Sequence, residues 1–221
     1  MPSENHPSYL GSSILNVDLP DGILINYYPI FIREKVHVVD LGCGNGRNLI
    51  QLSNAGLNVT GIDISEDAIS LLNQSLQSST ESVSIFRKDI RQVAFDKLLP
   101  DKISLVIAAN VLNFFTKSTA IELVSKINSN LEIGSYFYIT MLTKDDPGLR
   151  TIAKKSTLTD DGSYYFEEKN IHVQFFSKAD ITQFLPNFQI YELAHGKAID
   201  LTHDEPHYHK YISYLGKKLS I

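Results

Sequence analysis

The stretch Val36-His37-Val38-Val39-Asp40-Leu41-Gly42-Cys43-Gly44-Asn45-Gly46 is a short β-branched and apolar run that ends in three alternating glycines. It reads as a strand running into a glycine loop, because glycine lets the backbone turn tightly and approach a ligand where a side chain would collide. Downstream, Leu49, Ile50 and Leu52 fall at helical spacing, and Asn54, Ala55 and Gly56 stop that helix. Residues 58–63 are a second strand ending in Asp63, and Ser65 is placed to cap a helix whose first turn carries Glu66 and Asp67. Residues 83–86 are a third strand that ends near Asp89. Residues 103–108 are nearly all apolar, as expected of a strand buried on both faces. A helix near residues 118–131 precedes a fifth strand over 136–142. Strands alternating with helices at this spacing imply right-handed crossovers and an α/β fold with a doubly wound, mostly parallel sheet. Residues 188–194 and 209–215 are two more strands with no long crossover between them, so they predict a C-terminal antiparallel hairpin that completes seven strands.

Outside this frame the signals are weaker. Residues 1–22 are rich in Pro, Ser, Asn, Asp and Gly and read as loops, whereas residues 23–32 are apolar and aromatic with a period that does not separate helix from strand. The stretch 143–174 breaks the rhythm, with turns at Asp145-Asp146-Pro147-Gly148 and Asp160-Asp161-Gly162. The expected organisation is an N-terminal cap or lid segment, 1–33, and one domain, 34–221, with an insertion at about 143–174.

Composition narrows the function. With 221 residues, 43% hydrophobic and 20% charged, the chain is an ordinary globular protein, and its net charge of −5 disfavours bulk binding to nucleic acid. A single cysteine leaves no internal disulfide, no apolar run approaches a membrane span, and the N-terminus lacks a signal peptide's pattern. A cytoplasmic protein with no membrane partner is expected.

The loop chemistry is more specific. In an open α/β sheet, ligands bind outside the carboxyl ends of the strands. A dinucleotide fingerprint would place glycine at 47, where this chain has Arg47, and no phosphate-loop Gly-Lys-Ser/Thr run is present. What remains is Asp40-x-Gly42-x-Gly44-x-Gly46, followed by Asp63 at the end of the next strand, where a carboxylate can accept both hydroxyls of a ribose. Carboxylates at two successive strand ends suit a cationic ligand better than a pyrophosphate.

Residues 38–63, Val-Val-Asp-Leu-Gly-Cys-Gly-Asn-Gly-Arg-Asn through Val-Thr-Gly-Ile-Asp, closely resemble the first two motifs of class I S-adenosylmethionine-dependent methyltransferases. Within that family, Cys43-Gly44-Asn45-Gly46-Arg47-Asn48 looks most like the tellurite-resistance-type group. By element order the resemblance covers most of residues 34–217. It implies a Rossmann-like methyltransferase fold and S-adenosyl-L-methionine as cofactor. By the family's pattern, Asp40 and the backbone of Gly42, Cys43, Gly44 and Gly46 would hold the methionine part, Asp63 the ribose and Ile64 one adenine face. Asp89 and the backbone N–H of Ile90 would meet the adenine edge, and Asn110, with Val111 and Leu112, would line the methionine end.

The methyl acceptor is less legible. No Asn-Pro-Pro-Tyr-like run is present, and Asn110-Val111-Leu112-Asn113 stands in its place. The expected activity is methyl transfer to a small molecule; a chalcogen oxyanion is suggested by the resemblance alone. The alternatives are an RNA- or protein-modifying enzyme and a non-catalytic cofactor-binding protein of the same fold. His203, His207 and His209, with Asp204 and Glu205, fall within seven residues and are the candidates for a general base. The same groups could also be structural. Pro206 and the strand pattern count against a helical His-x-x-x-His metal site, so no metal is expected. The oligomeric state is not legible.

Overall fold

The computed structural model describes residues 21–76, 83–99, 102–200 and 207–220. In chain order its elements are α1 (Gly22–Glu34), β1 (His37–Leu41), α2 (Leu49–Asn54), β2 (Val59–Asp63), α3 (Glu66–Leu76), β3 (Val83–Arg87), α4 (Phe95–Leu98), β4 (Ser104–Ala109) and α5 (Lys117–Asn130). There follow β5 (Tyr136–Leu142), α6 (Leu149–Lys155), β6 (Thr157–Leu158), β7 (Tyr164–Phe166), β8 (Ile171–Val173), α7 (Lys178–Phe184), β9 (Phe188–Asp200) and β10 (His207–Lys218). Seven strands form one sheet in the order β3-β2-β1-β4-β5-β10-β9. β1 to β5 run parallel, and β10 lies antiparallel between β5 and β9. This is the doubly wound sheet with a C-terminal hairpin that the alternation of elements predicts.

The centre of the sheet is apolar on both faces because helices cover both. On one face Val39, Leu41, Val106, Phe137 and Ile139 pack against Leu123, Val124 and Ile127 of α5 and Ile181 of α7. On the other, Val38, Leu105, Ile107, Tyr136 and Tyr138 meet Leu24 and Phe31 of α1, Leu49 and Leu52 of α2 and Leu72 of α3. Burial of each such aliphatic or aromatic side chain contributes about 1.5–3 kcal/mol. Capping sets the helix starts: the Thr116 hydroxyl accepts the Thr119 N–H at 3.2 Å, and Ser177 with Asp180 forms a reciprocal capping box at α7.

The undecided stretch 23–32 is helical. Leu24 and Phe31, seven residues apart and so on one face, bury against the sheet, and Lys35 ends the helix in the left-handed conformation with its N–H on the carbonyls of Phe31 and Ile32. β9 and β10 are longer than the apolar pattern indicates. β10 pairs with β5 only over Tyr211–Lys217 but with β9 over its whole length, so the hairpin extends beyond the carboxyl edge of the parallel strands. Between Leu142 and Ser177 the chain builds α6 and a small antiparallel sheet, β6-β7-β8, on its own cluster of Ile152, Ile171, Val173 and Phe175.

Candidate active site

The strand order reverses between β1 and β4, and the carboxyl ends of β1, β2 and β4 meet the glycine loop there. The three loop glycines all have positive φ: Gly42 at +69°, Gly44 at +55° and Gly46 at +87°. Their surroundings differ. A Cβ at Gly42 would lie 2.7 Å from Val111, and one at Gly46 would lie 2.3 Å from Leu72. A Cβ at Gly44 would meet nothing within 4 Å, so this is the glycine that faces open space at the mouth of the site. The loop is braced by N–H groups of Gly42 and Cys43 on the Ile62 carbonyl, at 2.7 and 3.1 Å.

Asp63 ties the loop to the second strand. Its Oδ2 accepts the Gly44 N–H and its Oδ1 the Ser65 N–H, both at 2.8 Å. Each oxygen retains a further lone pair for hydroxyl groups. Asp40, at the end of β1, is 2% exposed. No hydrogen-bond donor reaches its carboxylate among the described residues, and burial together with the nearby Asp63 pushes its pKa up to about 7, with Arg47 acting in the opposite direction. The Cys43 side chain packs against Gly61, where a Cβ would sit 2.9 Å from its sulfur. Burial raises that thiol well above its ordinary pKa, which removes it as a nucleophile.

Asp89 and Asn110 sit at the rim with protein partners of their own. Asp89 caps a short 3-10 turn over Ile90–Gln92, accepts the Arg91 N–H at 2.9 Å and is ion-paired with the Arg91 guanidinium. Ile90 turns its side chain into the core, and Ile64, after β2, lends its carbonyl to Arg87 Nε at 3.4 Å. Asn110 has φ of +56°, and its Oδ1 accepts the Thr140 hydroxyl at 3.0 Å.

The histidines separate. His203 lies outside the described residues, and of His207 only the backbone is described, as the first residue of β10. His209 is 5% exposed, with Nδ1 at 3.1 Å from Oδ2 of Asp146, a residue of the turn between β5 and α6. That carboxylate also accepts the N–H groups of Lys210 at 2.6 Å and Gly148 at 2.7 Å. Among the described residues no group of three His, Cys, Asp or Glu side chains is arranged to hold a metal ion.

Several site residues escape a sequence reading. Asn48 is buried, its Oδ1 accepts the Asp21 N–H at 2.9 Å and its carbonyl the Tyr28 hydroxyl at 3.4 Å, so α1 is fastened to the glycine loop. The Tyr27 hydroxyl donates to the Tyr191 carbonyl at 3.1 Å and ties the same helix to β9. Asn113 donates to the Gln174 carbonyl at 2.6 Å and accepts the Leu142 N–H at 3.1 Å, joining the chain after β8 to the end of β5. Local pattern carries none of this, since the partners are distant in sequence.

Residues 38–134 match the family model described as a methyltransferase domain. The matched stretch is under half of the chain; with the fold and the glycine loop, it makes the chain similar to class I S-adenosylmethionine-dependent methyltransferases. Among individual proteins, the chain is 36% identical over 93 residues to YqeM of Bacillus subtilis, assigned by name to the methyltransferases; the stretch is 41% of this chain and 36% of YqeM. It is 28% identical over 118 residues, 52% of this chain and 40% of the relative, to Haemophilus influenzae TehB, named as an S-adenosyl-L-methionine-dependent methyltransferase. These matches span well under half the length of both curated relatives. The crystal structure of Haemophilus influenzae TehB superposes with a TM-score of 0.69 at 19% identity, covering 90% of this chain and 62% of that one. A Burkholderia thailandensis 1,6-didemethyltoxoflavin N1-methyltransferase, with its substrate and S-adenosylhomocysteine bound, superposes at 0.63 with 15% identity, over 90% of this chain and 79% of that one. Both superpositions speak to the fold.

Proposed function

We propose that this chain transfers a methyl group from S-adenosylmethionine to a small-molecule acceptor. The observation that carries the reading is the Asp40 carboxylate, buried at the strand-order reversal with no donor among the described residues, beside a Gly44 whose missing side chain leaves the approach open. A buried carboxylate without a donor is a site for a cation, and an amino-acid ammonium beside a sulfonium fits it. In this reading Asp40 holds the ammonium, the spare lone pairs of Asp63 hold the ribose hydroxyls, and Ile64 covers one adenine face. Asp89 with the Ile90 N–H borders the adenine edge, and Asn110 closes the methionine end.

Bound S-adenosylmethionine supplies a methyl group on a positively charged sulfur, open to in-line displacement at carbon. The protein's share is then to hold the acceptor in line and to exclude water. We assign the task of taking the acceptor's proton to the histidines His203, His207 and His209, of which His209 is held by Asp146 through Nδ1. The 1–33 segment is assigned as a cover, of which residues 1–20 lie outside the described residues; Asp21 and Tyr28 hold the loop through Asn48. The small-molecule assignment is supported by the acidic net charge of −5 and by the toxoflavin-type substrate of the Burkholderia neighbour. The buried free thiol of Cys43 suits a reducing, cytoplasmic setting, and no helix among the described residues is long and apolar enough to cross a membrane.

Thermal unfolding with S-adenosylmethionine or S-adenosylhomocysteine, against NAD and ATP as controls, tests the donor. At about 100 times Kd the ligand adds roughly 2.7 kcal/mol, a rise on the order of 5–10 °C for a chain of this size. A rise restricted to the sulfonium cofactor and its product supports the reading and opens a screen of small acceptors for S-adenosylhomocysteine release. No rise at saturation refutes it.

A further inference from the structure

We propose that Asp40 carries a proton in the free protein and gives it up to solvent when the cofactor's ammonium takes its place, so that cofactor capture releases one proton and tightens as pH rises. The inference rests on the cofactor reading above.

The geometry comes first. Asp40 stands in β1 between β2 and β4, the most enclosed place in the sheet, and is 2% exposed. Among the described residues its carboxylate has neither a hydrogen-bond donor nor an ion pair within 4 Å. An isolated carboxylate in such a place is costly when charged and takes up a proton instead. Four neighbouring ionisable groups act on it or are acted on by it: Asp63 from the end of β2, Arg47 and Cys43 from the loop, and Tyr28 from α1. Asp63 adds a like charge. Arg47 favours ionisation without touching the carboxylate. Tyr28 and Cys43 are held protonated by burial and by the Asp40 charge itself, so neither supplies a countercharge. Burial, the largest of these effects, together with Asp63 outweighs Arg47 and brings Asp40 to about 7, inside the range where a cell's pH acts on it.

A ligand ammonium delivers the missing positive charge and up to three donors. It binds the ionised carboxylate, so below about pH 7 binding must first expel the proton, and above it the proton is already gone. Linkage of one proton weakens affinity about tenfold for each pH unit below that point and leaves it level above. The consequence is selective for the amino-acid end of the ligand: a nucleoside without an ammonium has no reason to expel the proton.

Calorimetric titration of the whole chain with S-adenosylhomocysteine from about pH 5.5 to about 8.5 reads the effect directly. The expected Kd climbs about tenfold per unit below pH 7. At about pH 6, titrations in two buffers of different ionisation enthalpy should report close to one proton released per ligand bound. 5′-Methylthioadenosine, which keeps the nucleoside and thioether but lacks the ammonium, should bind with a level pH profile. Asp40→Asn should bind S-adenosylhomocysteine more weakly and without the slope. The buffer comparison needs no variant, so it decides the matter even if Asp40→Asn does not fold. A level profile for S-adenosylhomocysteine with no proton released overturns the proposal, as does the same slope for 5′-methylthioadenosine or a slope retained in Asp40→Asn. Absence of S-adenosylhomocysteine binding at every pH removes the cofactor reading and this inference together.

Discussion

The backbone N–H of Gly44 donates to the carboxylate of Asp63 at 2.8 Å, and this bond locks the tip of the glycine loop to the end of the second strand. The second oxygen of the same carboxylate, on the Ser65 N–H at 2.8 Å, orders the start of α3. One side chain therefore shapes the loop, the following helix and, in the proposed function, the ribose subsite. Asp63→Ala should lose about 1.5–3 kcal/mol of S-adenosylhomocysteine affinity, since hydrogen bonds to a charged group are removed, and should lower Tm by a few degrees. Titration calorimetry on the folded variant checks it. Unchanged affinity would take the ribose away from Asp63.

The loop glycines should divide by consequence. Gly44→Ala meets open space, so its stability cost is the left-handed backbone alone, about 1–2 kcal/mol, while a methyl group now stands on the ligand's approach. Gly46→Ala drives a methyl group into the buried Leu72 and Ile50 and adds overpacking of about 1–3 kcal/mol to the same backbone cost. The expected pattern is greater loss of S-adenosylhomocysteine affinity in the first and greater loss of Tm in the second. The reverse order would mean that Gly44 does not border the ligand.

Asp40 should weaken the free fold as pH rises. Its folded pKa of about 7 lies above the ordinary carboxylate value of 3.8, so between about pH 4 and 7 the folded chain holds a proton that the unfolded chain has released. Stability from this group is complete below that window and is lost across it. Asp40→Asn removes the buried charge, so the ligand-free variant should unfold higher than the parent at about pH 8, by roughly 1–3 kcal/mol or a few degrees, and should show little gain at about pH 4. Scanning calorimetry at the two pH values settles the sign.

Two adjacent aspartates in the turn between β5 and α6 should behave in opposite ways. The Asp146 side chain is fully buried and accepts the Gly148 and Lys210 N–H groups as well as His209, so Asp146→Ala leaves several donors unsatisfied and should cost about 2–5 kcal/mol. Asp145 is exposed and pairs with Lys210 Nζ at 2.8 Å, which holds its pKa down at about 2, yet solvent screens the pair and Asp145→Ala should cost less than about 0.5 kcal/mol. Urea midpoints of the two variants give the comparison. Equal losses would mean that the turn is not held by Asp146.

The Cys43 thiol should label slowly in the native chain and at the ordinary rate once unfolded, because burial keeps it protonated and out of reach. Rapid reaction with a thiol-specific disulfide reagent under native conditions would contradict the packing of its sulfur against Gly61.

The alternation of apolar strands with capped helices determined the doubly wound sheet, because buried parallel strands must be nearly all apolar and each crossover needs a helix to cover a face. The Asp40 to Gly46 loop and Asp63 were legible for a similar reason: their chemistry lies in residue types at fixed short spacings. The helical state of residues 23–32 was undetermined locally and was decided by what Leu24 and Phe31 pack against. Tertiary structure alone joined Asp146 to His209, 63 positions on, Asn48 to Asp21, 27 positions back, and Asn113 to Gln174, 61 positions on. It also left the Asp40 carboxylate without a donor among the described residues. Such pairings depend on strand register and on where crossovers and insertions return the chain, and a side chain's own neighbours in sequence carry no record of that.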